Sequence, residues 1–317
     1  TACDALASPV AAAIESAWRG IKMVLGLSPG HGELAISVVD VGDEGMVDAV
    51  GRVLTEPHDQ RPDAMFVVTA IGDVRRLREL GTLAEAATVP VVVAIDPSVL
   101  DDDGDAPLER WTALRSEPAS QWLVGTSNEI VLAAEPTRVG PRVVFGSPVF
   151  AVAGILTAAL GRTHGFADAL GRAGAISSPA SHTVEGAGSI PTRAALPPEA
   201  LRALAMQGIV AIGHEREGER LLLAGAPMIA RGDGPALPTR ILVGRAVRWA
   251  IAARDTLPRG ATNREIETAF ARAGASFLPE APGACTLHAH AHGEHLHVQA
   301  RLAASLLGRS LEFEFSV

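Results

Sequence analysis

"AMFVVTAIGDVRRLRELGTLAEAATVPVVVAID", residues 64–96, carries the pattern from which the fold class follows. An unbroken apolar run (64–70) leads into a helical stretch (73–87) and then a second apolar run, "VPVVVAID" (89–96). A strand buried on one face alternates apolar and polar residues, whereas an unbroken run bounded by polar residues marks a strand covered on both faces. Asp73 stands where a helix N-cap is needed, its carboxylate able to accept the free backbone N–H groups of the first turn. Strand, helix and strand in this order predict a parallel or mixed sheet covered by helices.

The same rhythm extends to either side. Residues 5–25 have helical spacing, with Ile14, Ala17, Trp18 and Ile21 on one side and Trp18 expected in the core. "ELAISVVDV" (33–41) reads as a strand, "EGMVDAVGRVL" (44–54) as a helix and "NEIVLAAE" (128–135) as a further buried strand. The expected fold class is therefore α/β, a mixed sheet flanked by helices, over a first domain at 1–140.

A second domain, α+β, is expected over 141–317. It would begin with a long helix (149–172), followed by the Gly-, Ser- and Pro-rich stretch 174–198 as loop. A helix ended by Gly208 precedes a hairpin (209–225) with Gly218 in its connection. Helices follow at 238–255 and 262–277, the second opened by a Thr262/Glu265 capping box. "LHVQARLA" (296–303) and "LEFEFSV" (311–317) form a C-terminal β-hairpin.

The net charge of −9 gives no reason to bind phosphate backbones, so nucleic acid is not an expected partner. Two cysteines, Cys3 and Cys285, are too few for a disulfide framework. Glu15 and Arg19 interrupt the first apolar stretch, and no basic leader precedes it; a cytoplasmic protein is expected. Val143–Gly161 is uncharged, but Gly146, Ser147 and Pro148 break it, leaving too few helical residues for the ~20 that a membrane span needs. It reads as a buried core helix, without membrane insertion.

The tests for chemistry are mostly negative. The acidic stretch 96–111 fails as a calcium loop: with Gly104 at the turn position, Val99 and Arg110 occupy ligand positions. "GHERE" (213–217) lacks the second histidine of a zincin, and no dinucleotide, Walker or nucleophile-elbow pattern is complete. Catalytic and cofactor-binding residues are accordingly assigned to none. "TLHAHAHGEHLHVQARL" (286–302) is different, holding five of the ten histidines. His288, His290, His292, His295 and His297 could ligate zinc or nickel, or could form a solvated hairpin edge turned by Gly293. A soluble metal-binding protein or metal-dependent enzyme is therefore an alternative function.

"AIESAWRGIKMVL" (13–25) carries an E-x-x-W-R-G helix that resembles the start of the core of TssC/VipB-like proteins, the large sheath subunits of the type VI secretion apparatus. Ordered resemblances follow at 65–74 (a strand ending in Gly-Asp), 109–136 (a W-x-x-x-R segment and the strand beyond), 189–212, 237–270 and the closing strands 296–317. The resemblance implies a non-enzymatic subunit of a contractile, phage-tail-like helical tube. Its partners would be copies of itself, a small sheath subunit and an inner tube protein. Members carry an N-terminal arm ahead of the W-R-G helix and interlace through terminal extensions; with only about a dozen residues before the helix and trimmed loops, a shortened member without that arm is expected.

A subunit repeated through head-to-tail contacts makes an open helical array unless the rotation closes, and an unpaired strand edge can serve such a contact. Leu311, Phe313, Phe315 and Val317 form one apolar face of the last strand, either for a neighbour or for the chain's own core. Arg245 and Arg248, sharing a helix face, and Trp18 with Arg19 are further interface candidates.

Overall fold

The computed structural model describes residues 8–29, 34–41, 45–58, 60–99, 106–137, 140–215, 219–232, 234–278, 281–292 and 295–317. In chain order the elements are α1 (Pro9–Leu27), α2 (Met46–Leu54), β1 (Met65–Ile71), α3 (Val74–Ala87), β2 (Val91–Ile95), α4 (Ala106–Leu114), β3 (Leu123–Ser127), β4 (Ile130–Thr137) and β5 (Gly140–Gly146). Then come α5 (Val149–Thr163), β6 (Ile176–Ser177), β7 (His182–Val184), β8 (Gly188–Ile190), α6 (Pro198–Met206), β9 (Ile209–His214) and β10 (Arg220–Leu223). The chain closes with α7 (Leu237–Asp255), α8 (Asn263–Ala275), β11 (Cys285–His292), β12 (His295–Leu302), α9 (Ala304–Leu307) and β13 (Leu311–Ser316).

A six-stranded sheet of order β1-β2-β3-β9-β10-β6 organises the molecule. Its first four strands are parallel and the rest antiparallel, so it is a mixed sheet, fed from both sides of residue 140. Every residue of β2 is buried. Val92 and Ala94 face one core, with α5 and α7; Val91, Val93 and Ile95 face another, with α2, α3 and Trp111. That two-sided covering is why this stretch of sequence is uninterruptedly apolar. The expected caps are present: Asp73 accepts from the Arg75 N–H, and the Thr262/Glu265 capping box closes on itself.

The uncharged run at 143–161 divides into the end of β5 and the helix α5, of which Val149–Val152 and Gly154–Ala159 are buried. Among the described residues no helix is long and apolar enough to cross a membrane. α5 ends at Thr163 rather than 172, stopped by His164 in the left-handed region (φ 51°).

Three further expectations are corrected or refined. Residues 34–41 form no strand, and Ile36, Val38 and Val39 are exposed. A strand exists only by pairing in a ladder, and among the described residues the strand orders do not include this segment. The strand expected at 128–135 is present as β4, with its first four residues buried, but it lies outside the main sheet: Asn128, at φ 68°, turns the chain, β4 pairs antiparallel with β5, and Leu123–Ser127 supplies the third parallel strand. Finally, the C-terminal hairpin is a three-stranded sheet, β11-β12-β13. Of the candidate calcium loop, residues 100–105 lie outside the described residues, as do Gly218 and Gly293.

Candidate interface at the C-terminal sheet

Alternation along three strands gives this sheet two unlike faces. Cys285, Leu287, Ala289, Val298, Ala300 and Leu302 are buried, and Leu311, Phe313, Phe315 and Val317 pack partly buried against the same core. α8 lies across this inner face; a Cβ on Gly274 would stand 3.1 Å from the backbone of Cys285 and Leu287, so glycine permits the close approach. Burial pushes the Cys285 thiol up to about 12. The apolar face of β13 is thus engaged within its own chain.

What β13 leaves open is its outer edge. Leu296 and Val317 exchange both backbone hydrogen bonds, at 3.0 Å each. In an antiparallel pair, exchanging and non-exchanging residue pairs alternate. The odd-numbered residues of β13 therefore turn their N–H and C=O groups toward β12, and Glu312, Glu314 and Ser316 turn theirs outward. Since β13 ends the strand order, no strand among the described residues takes up that side. The edge is bordered by carboxylates: Glu312 pairs with Arg301 at 3.4 Å, and Glu314 accepts from Gln299 at 2.9 Å.

The register also gathers the histidines. His290 stands opposite His297 and His292 opposite His295, while His288 faces Gln299. Residues directly opposite share a face, so all five imidazoles lie on the solvent side. The His290 and His297 ring centroids are 5.1 Å apart, tilted by 58°. As the side chains stand, no three metal-ligating groups among the described residues are placed to hold an ion.

The other candidates lie elsewhere. Arg248 is only 3% exposed; its Nη1 donates to the Thr88 carbonyl at 2.6 Å and its Nη2 to Asp63 at 2.6 Å. Burial pulls the Arg248 pKa down from its usual value and Asp63 opposes that shift. Arg245 donates to the other Asp63 oxygen at 2.5 Å and to the Phe277 carbonyl at 3.0 Å. The two arginines therefore fasten α7 to Asp63, two residues before β1, a contact that spacing alone did not reveal, because Asp63 is 182 residues from Arg245.

Trp18 is 65% exposed, not in the core. α1 buries Gly20 and Val24 instead, which puts Val10, Ile14 and Trp18, at i, i+4 and i+8, on its outer side. Arg19 bridges Glu15 (2.9 Å) and Glu135 (2.5 Å), and Arg142 joins the same two carboxylates, tying α1 to the β4–β5 ribbon. The Pro-Thr stretch at 191–192 is structural too: buried Thr192 and the Asn128 amide both donate to the Ala194 carbonyl.

No protein-family model matches the chain, and no curated protein matches it. Solved structures do resemble it. A chain of the anti-feeding prophage baseplate is 12% identical with a TM-score of 0.50, over 90% of this chain and 75% of that one. The helical sheath of the anti-feeding prophage in its contracted state is 13% identical (TM-score 0.48; 94% and 77% covered). The sheath tail protein Lin1278 from Listeria innocua is 11% identical (TM-score 0.48), this chain spanning 60% of its length. At such identities the likeness is one of fold.

Proposed function

We propose that this chain is a structural subunit of a helical tubular assembly of the contractile, phage-tail-like kind, resembling the large sheath protein of the type VI secretion apparatus. The observation that carries the proposal is the open edge of β13. Its inner face is anchored to the core, so the strand is held rigid while its outward N–H and C=O groups stay free to pair. The overall likeness to a baseplate chain supports the same reading, as does the ordered resemblance from the W-R-G helix at 18–20 to the closing strands.

A second copy would dock on that edge. Its approaching strand would have to present neutral or basic side chains beside Glu312 and Glu314, since like charges opposed across a sheet are destabilising. A small sheath subunit and an inner tube protein would complete a cytoplasmic particle. No step of this role breaks a covalent bond.

Glu312→Pro tests the edge selectively. Proline removes an outward N–H and leaves the β12–β13 bonds intact. Electron microscopy of the purified parent chain, alone and mixed with the products of neighbouring genes, should show filaments. The Glu312→Pro chain should be folded by circular dichroism yet form none. Filaments of normal length from that variant would overturn the edge as the contact. A parent chain that stays monodisperse in every mixture would overturn the assembly itself.

A further inference from the structure

The histidine face has geometry that the proposed assembly does not use. We infer that His290, His297 and Glu314 form a surface site for a borderline divalent transition metal such as zinc or nickel, with solvent completing the coordination.

Two distances carry the inference. A tetrahedral ion with Zn–N bonds of about 2.0–2.1 Å, each ring centre ~1.1 Å behind its nitrogen, holds two imidazole centroids about 5 Å apart. The His290 and His297 centroids are 5.1 Å apart. Two ligand atoms on one tetrahedral ion at such bond lengths are separated by about 3.3 Å. The His297 Nε2 and Glu314 Oε2 atoms are 3.3 Å apart. The His297 nitrogen therefore stands at ligand spacing from a carboxylate, and its ring lies at a centroid distance from His290 that a shared ion would allow once the His290 ring turns.

The backbone holds these positions. By the alternation set at Leu296 and Val317, His297 turns its N–H and C=O groups toward β11, so His290 and His297 form a hydrogen-bonded rung of the ladder. The sheet itself is anchored through its buried face. What must move is the exposed His290 ring, which turns about χ1 and χ2 until its nitrogen meets the ion; exposed rotamers exchange in picoseconds to nanoseconds. Two imidazoles and one carboxylate are a ligand set suited to zinc. This site is independent of the assembly reading.

Isothermal titration of the full-length chain with zinc chloride tests it, beside H290Q, H297Q, E314Q, H288Q and H292Q. All five positions are surface groups, and circular dichroism will verify each fold. The parent should bind zinc, and H290Q or H297Q should weaken binding by at least the roughly tenfold that even an outer-shell loss costs. E314Q should weaken it less, and H288Q and H292Q should leave it near the parent value. Tetrahedral coordination should also appear in the visible spectrum of the cobalt-loaded parent and vanish in H297Q. No zinc binding by the parent, unchanged binding in H297Q, or a loss that follows H288Q or H292Q instead would overturn the assignment.

Discussion

Asp63→Ala removes the anion between Arg245 and Arg248, and its cost can be worked from the surroundings. Deleting one partner of a buried pair typically costs about 3–5 kcal/mol, because the remaining charge is stranded in low dielectric. Arg248, 3% exposed, is such a charge. Two features reduce the figure. The Thr88 carbonyl still accepts from Nη1, and Asp63 is itself 38% exposed, so water reaches the vacated side. Arg245 keeps the Phe277 carbonyl. The expected loss is then about 2–3 kcal/mol, or roughly 3–5 °C in Tm for a chain of this length. Asp63→Asn should cost about half as much, one carboxylate oxygen being retained as an acceptor. Urea unfolding followed by tryptophan fluorescence, with m unchanged, gives the number. A double-mutant cycle with Arg248→Met isolates the coupling. A change below about 0.5 kcal/mol for Asp63→Ala would refute the clamp. It would also restore both arginines as candidates for contact with a neighbour.

Two further outcomes are expected. The Arg142 guanidinium beside Glu15, against the opposing effect of burial, holds that carboxyl below its ordinary value of 4.5. A depressed folded-state pKa stabilises fully above the unfolded value and is lost as pH falls through the folded one. Glu15→Gln should therefore be about 1–2 kcal/mol less stable than the parent at neutral pH, with the gap closing as the pH falls below the ordinary value of 4.5 and through the depressed one; urea titrations at stepped pH that show a constant gap would contradict this. Gly20→Ala would place a Cβ 2.3 Å from the buried Phe150 ring. The propensity gain of about 1 kcal/mol should be outweighed by overpacking of about 1–3 kcal/mol, and Phe150→Leu in the same chain should restore part of the loss. A more stable Gly20→Ala would show that α1 and α5 do not meet as described.

How far these features can be read from the amino acids depends on whether their physics is local. Asp73 and the Thr262/Glu265 box act within one helical turn, and both caps are where the sequence places them. The run 91–95 also declares itself, because burial on two faces leaves no room for a polar residue. Trp18 was misplaced because a helix has two sides, and four apolar residues on one of them do not reveal which side meets a neighbour. Gly20 was the available signal: its missing Cβ marks the side where Phe150 comes close. The segment 34–41 failed for a related reason, since "LAISVVDV" satisfies every local requirement of a strand, yet among the described residues no sheet includes it.

The same division explains why the candidate interface was only half legible. Five histidines at alternating positions announce themselves in one dimension, but whether they share a face depends on the register of β11 against β12. One residue of slip would reverse the outward set and bury the imidazoles. Apolar residues on both strands forbid that slip: Leu287 and Ala289 lie opposite Ala300 and Val298, and all four are buried. The core thus selects the register, and the register places His290 opposite His297. It equally decides that Glu312, Glu314 and Ser316, rather than their odd-numbered neighbours, point backbone groups outward. The apolar residues 311, 313, 315 and 317 matter to any docking by fixing that parity, not by touching the docked strand. Substitutions on the inner face of β13 should therefore weaken assembly only insofar as they loosen the fold. Backbone changes at its even-numbered positions should weaken assembly in a chain that remains folded.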